Sequence, residues 1–238
     1  MANTIFTETF DSATTGSLPA GWTGTGVGAI AAGSESGLPT DYNGGSGKAI
    51  RVTSTGTYTI YYSSAQDDGS GNQRATVYFR NHSTSGVGNI RLHTRITSLP
   101  SDTCYAFYAV STTNPSSCVL RVYRFDAGAI TEQSDIVSLG ALWPTATWFK
   151  ITGESTSAGL LTMKVQRLDN NQWLTSSGTW NATDQAAIVL SVSSPITGAG
   201  YCGLRLSRDS SSVLQYADQL TYENTGQSVY PAALLMVG

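Results

Sequence analysis

Trp173 and Trp180 stand in the polar stretches NNQW and GTWN. An indole held there could stack on the C–H face of a sugar ring, contributing apolar contact while hydroxyls stay wet. The chain carries 5 Trp and 12 Tyr, so aromatic surface is plentiful. Tyr58, Tyr61 and Tyr62 share a Thr-rich segment. Strand alternation turns Tyr61 away from Tyr58 and Tyr62, which makes Tyr61 the third stacking candidate. Packing competes for the same residues: Trp148 in WFKITG fits a core position, and Trp22, after Leu18-Pro19-Ala20-Gly21, fits a plug at the end of a sandwich.

Acid, base and nucleophile chemistry finds little support. Glycoside hydrolysis needs two carboxyl groups at a fixed short separation. The nearest acidic pairs are Asp67-Asp68, on opposite faces if extended, and Glu132/Asp135, in an expected loop. A Ser or Cys nucleophile needs a base beside it. There are 2 histidines: His82 follows Asn81 in a turn, and His93, between Arg91 and Arg95, reads as a solvated sheet residue. No glycine-rich phosphate loop leads from a strand into a helix. The expectation is no catalytic residue and no enzyme. The one cation candidate is DDGSGN, where Asp67, Asp68 and Asn72 offer hard oxygen ligands for calcium. It lacks the spacing of an EF-hand loop, so no cofactor is expected. Cys104, Cys118 and Cys202 leave an odd thiol. If Val110 faces Cys118 in a hairpin, Cys104 faces Arg124 and the two sulfurs lie roughly 20 Å apart. All three therefore read as small buried thiols.

Those residues need a frame. The 238 residues can bury one full core. Charged residues are 12% of the chain, about half the usual share, with Ser, Thr and Gly in their place. The net charge is −3, which argues against nucleic acid, since phosphate binding needs clustered cations. No apolar run approaches the length of a membrane span. The opening MANTIFTETFD lacks a basic and then apolar leader pattern. Ile5, Phe6 and Phe10 instead suit a first strand.

Alternation of period two marks the strands. In 73–80, Ala75, Val77 and Phe79 oppose Arg74, Thr76 and Arg80. In 89–97, Ile90, Leu92 and Ile96 oppose Arg91, His93 and Arg95. In 159–168, Leu161, Met163 and Val165 oppose Thr162, Lys164 and Gln166, and near the end Cys202, Leu204 and Leu206 oppose Arg205. Further strands are expected near 4–11, 48–54, 56–63, 103–110, 118–125, 147–153, 186–193 and 213–223. Turn clusters separate them. Residues 182–190 form the one plausible helical turn. Antiparallel strands with one dry face stack as a two-sheet sandwich.

The order of these signals resembles the concanavalin A-like lectin/glucanase (laminin G-like jelly-roll) superfamily. FTETFDSATTGSLPAGWT resembles its opening strand and loop, and GGSGKAIRV its second strand. TWFKITGESTSAGLLTMKVQRLDNNQW resembles a strand pair led by a buried Trp, and GYCGLRLSRDSSSVLQYADQLTYEN its closing strands. The resemblance implies an all-β antiparallel jelly-roll sandwich over residues 1–224. It also brings a contrast: glucanases of that superfamily carry Glu-x-Asp-x-Glu on one strand, and no such triplet occurs here.

Residues 225–238 form an apolar C-terminal arm. Tyr230, Leu234, Leu235, Met236 and Val237 suit an assembly interface that docks on a neighbouring subunit. Low surface charge, that arm and the absence of a leader pattern lead to a non-enzymatic structural protein of the virion. A bacteriophage capsid decoration or tail-associated protein fits best, arrayed as a homo-oligomer with capsid or tail subunits as partners. The alternative is an extracellular lectin-like module that binds glycans, and host-surface glycans could be partners in either case. Neither nucleic acid nor membrane is expected as a partner.

Overall fold

A computed structural model describes residues 3–14, 17–25, 30–33, 48–52, 54–65, 67, 69, 71–81, 87–97, 103–112, 119–137, 147–208 and 215–226. Cys118, His82, Asp68 and the arm residues Tyr230, Leu234, Leu235, Met236 and Val237 lie outside the described residues.

Among the described residues there is no helix. The strands are β1 (Asn3–Glu8), β2 (Trp22–Thr25), β3 (Ile30–Gly33), β4 (Ala49–Val52), β5 (Gly56–Tyr62) and β6 (Gln73–Asn81). Then follow β7 (Val87–Ile96), β8 (Cys104–Thr112), β9 (Val119–Asp126), β10 (Ala129–Val137), β11 (Trp148–Ser155) and β12 (Leu160–Arg167). The last are β13 (Trp173–Leu174), β14 (Trp180–Asn181), β15 (Ile188–Ser191), β16 (Tyr201–Arg208) and β17 (Gln215–Asn224). A 10-stranded sheet runs β14-β13-β12-β11-β6-β17-β4-β3, with β1 on β17 and β15 on β12. A 7-stranded sheet runs β10-β9-β8-β7-β16-β5-β2. Every pairing is antiparallel. The sandwich expected from alternation is the observed fold.

The core lies between the sheets. Ala75, Val77 and Phe79 of β6, Phe149 and Ile151 of β11, and Leu161, Met163 and Val165 of β12 meet Ile90 and Leu92 of β7, Phe107 of β8 and Leu204 and Leu206 of β16. Gly153 on β11 makes room for one of these contacts. A Cβ there would stand 2.2 Å from Phe107 Cδ2, so the absence of a side chain lets the phenyl ring lie against the opposing backbone. Trp22 caps the end of the core as expected, with Phe6, Phe10 and Tyr62 rings around it.

Several sequence expectations are corrected. On β7, Arg95 takes φ 53° and the β16 partner skips from Tyr201↔Ile96 to Gly203↔His93. This bulge reverses side-chain parity. Ile96 therefore joins an outer cluster with Cys104, Ala106, Tyr123 and Phe125, while Arg95 turns to the interior and is 1% exposed. His93 is no solvated residue. It is buried in that outer cluster, stacked on Phe125 at 6.4 Å and 3.5 Å from Cys104 Sγ.

Glu132 and Asp135 lie in strand β10 and not in a loop. Glu132 pairs with Arg124 at 3.3 Å and Asp135 with Arg121 at 3.6 Å across the ladder. These cross-strand ion pairs hold a polar edge strand that has little apolar alternation. Residues 182–190 form no helical turn, because their apolar end enters β15 against β12. The β8–β9 register sets Val110 opposite Val119 and Cys104 opposite Phe125, one residue away from the expected pairing. The expected register would have opposed the core residue Phe107 to Arg121, whereas the observed one opposes it to Val122. Cys104 and Cys202 are buried, as expected. Trp148 is buried too, but on the outer side of the ten-stranded sheet with Ala49 and Tyr216.

Candidate functional site

Strand register arranges the outward side chains of the ten-stranded sheet in three transverse rows. The first runs Trp173 (β13), Gln166 (β12), Lys150 (β11), Tyr78 (β6). The second runs Lys164, Thr152, Thr76, Thr221, with Thr221 on β17. The third runs Thr162, Glu154, Arg74, Glu223. Strands stand about 4.8 Å apart and alternate residues about 6.8 Å apart, so the rows tile a face roughly 14 Å square. The inward residues of the same strands form the core, so packing fixes which residues point out.

A groove of about 460 Å³ lies over these rows, with Thr7, Thr9, Asp184 and Gln219 at its margins. That volume is in the range of small-ligand sites. The middle row is a hydroxyl floor: Thr76 and Thr152 hydrogen-bond at 3.3 Å, and Thr7 and Thr221 at 3.5 Å. In the third row Arg74 pairs with Glu223 at 2.8 Å and with Glu154 at 3.7 Å, while the Thr162 hydroxyl donates to Glu154 at 3.4 Å. Lys164 pairs with Asp184 at 3.0 Å, and its ammonium lies 5.9 Å from the Trp173 ring centroid.

The three stacking candidates are not brought together. Trp173 lines the groove. Trp180 faces the other way: it sits opposite the buried Leu174 and packs on the core residue Phe149 at 5.9 Å, with the Arg167 guanidinium 5.3 Å from its ring. Tyr61 belongs to the seven-stranded sheet and pairs with the Tyr201 ring at 5.3 Å. Tyr78, Lys150 and the threonine floor were not singled out by the sequence. Their signal is only that they fall on the outward positions of alternating strands.

Of the calcium candidates, Asp67 and Asn72 make hydrogen bonds within the fold. Asp67 is 2% exposed; its Oδ1 accepts from the Gly69 amide at 2.7 Å and its Oδ2 from the Tyr222 hydroxyl at 2.5 Å. Asn72 Oδ1 accepts from the Ser157 amide at 3.1 Å. Among the described residues no cluster of three His, Cys, Asp or Glu is placed to hold a metal ion.

No protein-family model matches the chain, and no curated protein matches its sequence. Solved structures do. The CBM2 module of Lactobacillus casei BL23 phage J-1 evolved Dit superposes with TM-score 0.56 at 10% identity, covering 94% of this chain and 96% of that one. The globular domain of T. cruzi calreticulin gives 0.55 at 10% identity, covering 93% and 88%. The Ca2+-bound exoplasmic/lumenal domain of VIP36 gives 0.53 at 12% identity, covering 93% and 89%. At such identities the likeness concerns the fold. The chain has the concanavalin A-like fold.

Proposed function

We propose that this concanavalin A-like sandwich is a non-enzymatic carbohydrate-binding module, with its sugar site in the groove on the ten-stranded sheet. The observation that carries the reading is the composition of that groove: an indole and a tyrosine at the two ends of one row, with Lys150 between them and a row of threonine hydroxyls alongside. Such a surface matches a saccharide, whose rings offer apolar faces for stacking and whose hydroxyls exchange hydrogen bonds with Thr and with charged groups. A binding role also suits the carboxylates. The Arg74 guanidinium holds both Glu154 and Glu223 and so occupies the space between them. Hydrolysis would need the glycosidic bond there. The test is a panel of oligosaccharides titrated into wild type and Trp173→Ala. Binding that weakens by about two- to tenfold, the loss of one stacked aromatic, supports the module. Unchanged affinity in the variant contradicts it.

A virion setting is favoured by one similarity, that to the module of the phage J-1 protein. In that setting the module would sit on the particle surface and the apolar residues Tyr230, Leu234, Leu235, Met236 and Val237 would dock it on a neighbouring subunit. Removing residues 227–238 should then abolish incorporation into particles while the sandwich remains folded. Normal incorporation of the truncated chain would exclude this docking role.

A further inference from the structure

Charge is unevenly paired in the groove. Arg74 is held between Glu223 and Glu154, and Lys164 is held by Asp184. Lys150, half-buried at the centre of the aromatic row between Gln166 and Tyr78, has no hydrogen bond or ion pair among the described residues. Within the groove lining the Arg74 row carries two carboxylates against one guanidinium and the Lys150 row carries one ammonium; beyond Tyr78 that row passes out of the lining to the buried Asp218. Glu154 lies four positions along β11 from Lys150, about 13–14 Å of strand. The groove lining is therefore polarised along the strands, positive at Lys150 and negative at the far end.

This polarity has a consequence for any ligand that covers the aromatic row. A neutral ring stacked on Trp173 would strip water from the Lys150 ammonium without supplying a counter-charge, and that costs affinity. A ring bearing an anion would supply a charge-assisted hydrogen bond at the same place. The negative far end would repel a second anion, so the ligand is acidic at one position and neutral beyond it.

We infer that the groove takes an anionic saccharide, with its carboxylate or sulfate on Lys150, its ring against Trp173 and neutral sugar over the Thr76–Thr152 floor. This rests on the carbohydrate-binding reading above and specifies the class of sugar. The preference over a neutral analogue should be about tenfold or more at low ionic strength, the scale of one charge-assisted bond, and should shrink with added salt.

The experiment is calorimetric titration of the full chain with three probes of equal length: a galacturonate oligomer, a sulfated galactose oligomer and a neutral galactose oligomer. Wild type is compared with Lys150→Gln and Lys150→Arg, and urea midpoints confirm that each variant is folded. The expected result is a preference for an acidic probe that collapses towards unity in Lys150→Gln and survives in Lys150→Arg. Galacturonate leading identifies a carboxylate as the bound group, and the sulfated probe leading identifies a sulfate; either supports the inference. Equal affinity for acidic and neutral probes overturns charge selection and leaves the sugar groove standing. A preference that persists in Lys150→Gln overturns the assignment to Lys150. Absence of binding by all three overturns the inference and counts against the carbohydrate reading as well.

Discussion

The Tyr222 hydroxyl, on the ten-stranded sheet, donates a 2.5 Å hydrogen bond to Asp67 Oδ2 in the loop after β5, and both residues are buried. The loop leads from β5 of the seven-stranded sheet to β6 of the ten-stranded one, and the contact fastens it to β17 beside β6. Burial, and then the charge on Asp67, push the Tyr222 phenol well above its ordinary range. The hydroxyl therefore remains a donor at every ordinary pH. Tyr222→Phe keeps the ring and removes the donor. A buried carboxylate that loses such a bond costs roughly 1–3 kcal/mol, which a urea denaturation curve reads directly. An unchanged midpoint would show that the bond does not hold the loop.

The same loop contained the sequence's calcium candidates. Since Asp67 already accepts from Gly69 and Tyr222, and Asn72 from Ser157, the fold should not need the ion. Thermal melting with calcium and with a chelator should give the same Tm. A rise of several degrees with calcium would mean that the loop opens to bind it.

Arg95 forms a tie between the sheets. Its Nε donates to Gln73 Oε1 at 2.5 Å, its Nη2 to the Gly71 carbonyl at 2.9 Å and its Nη1 to the Ile196 carbonyl. Three acceptors in different directions fit a guanidinium fork and not an ammonium. Arg95→Leu leaves these three neutral acceptors without their donor and should destabilise the fold, at roughly 1–3 kcal/mol for each acceptor left buried and unpaired. Arg95→Lys should recover only part of it. Denaturant midpoints of the three proteins check the order.

His93 gives a pH signature. Burial, then Arg91 and Arg205, hold its imidazole down at about 3, against about 6.5 in an unfolded chain. Between those values the unfolded chain takes up a proton that the folded one refuses. Stability is thus intact above about pH 6.5 and falls as the pH drops towards 3, by up to about 1.4 kcal/mol per pH unit. His93→Gln should flatten this part of the profile whatever its absolute stability. Equal slopes for the two proteins between about pH 6 and 4 would contradict the assignment.

The three aromatic candidates should separate by phenotype. Trp173→Ala should weaken sugar binding and leave stability nearly untouched. Trp180→Ala removes a half-buried ring from Phe149 and should cost about 2 kcal/mol of stability. Tyr61→Ala, on the other sheet, should leave sugar affinity as it was. Calorimetry and urea curves on the three variants distinguish these outcomes.

The fold was legible because the apolar residues of β6, β12 and β16 alternate strictly and every other side chain is core. The bulge at Arg95 was not legible, because a non-glycine residue at positive φ carries no local signal and the parity change shows only in the register with Tyr201 and Gly203 on another strand. Strand β10 was missed because its cohesion lies in ion pairs with β9 and not in alternation. The groove was only partly legible. Trp173 could be named from its polar surroundings. Its neighbours Lys150 and Tyr78 arrive from β11 and β6, which lie far apart in sequence and meet only through register.

The most direct test of the sugar groove is chemical-shift mapping on isotope-labelled protein titrated with neutral and acidic oligosaccharides. The groove reading expects the Trp173 indole and the amides around Thr76, Thr152 and Lys150 to move together and saturably. Shifts confined to the Tyr61–Tyr201 face, or none with any oligosaccharide, would contradict it.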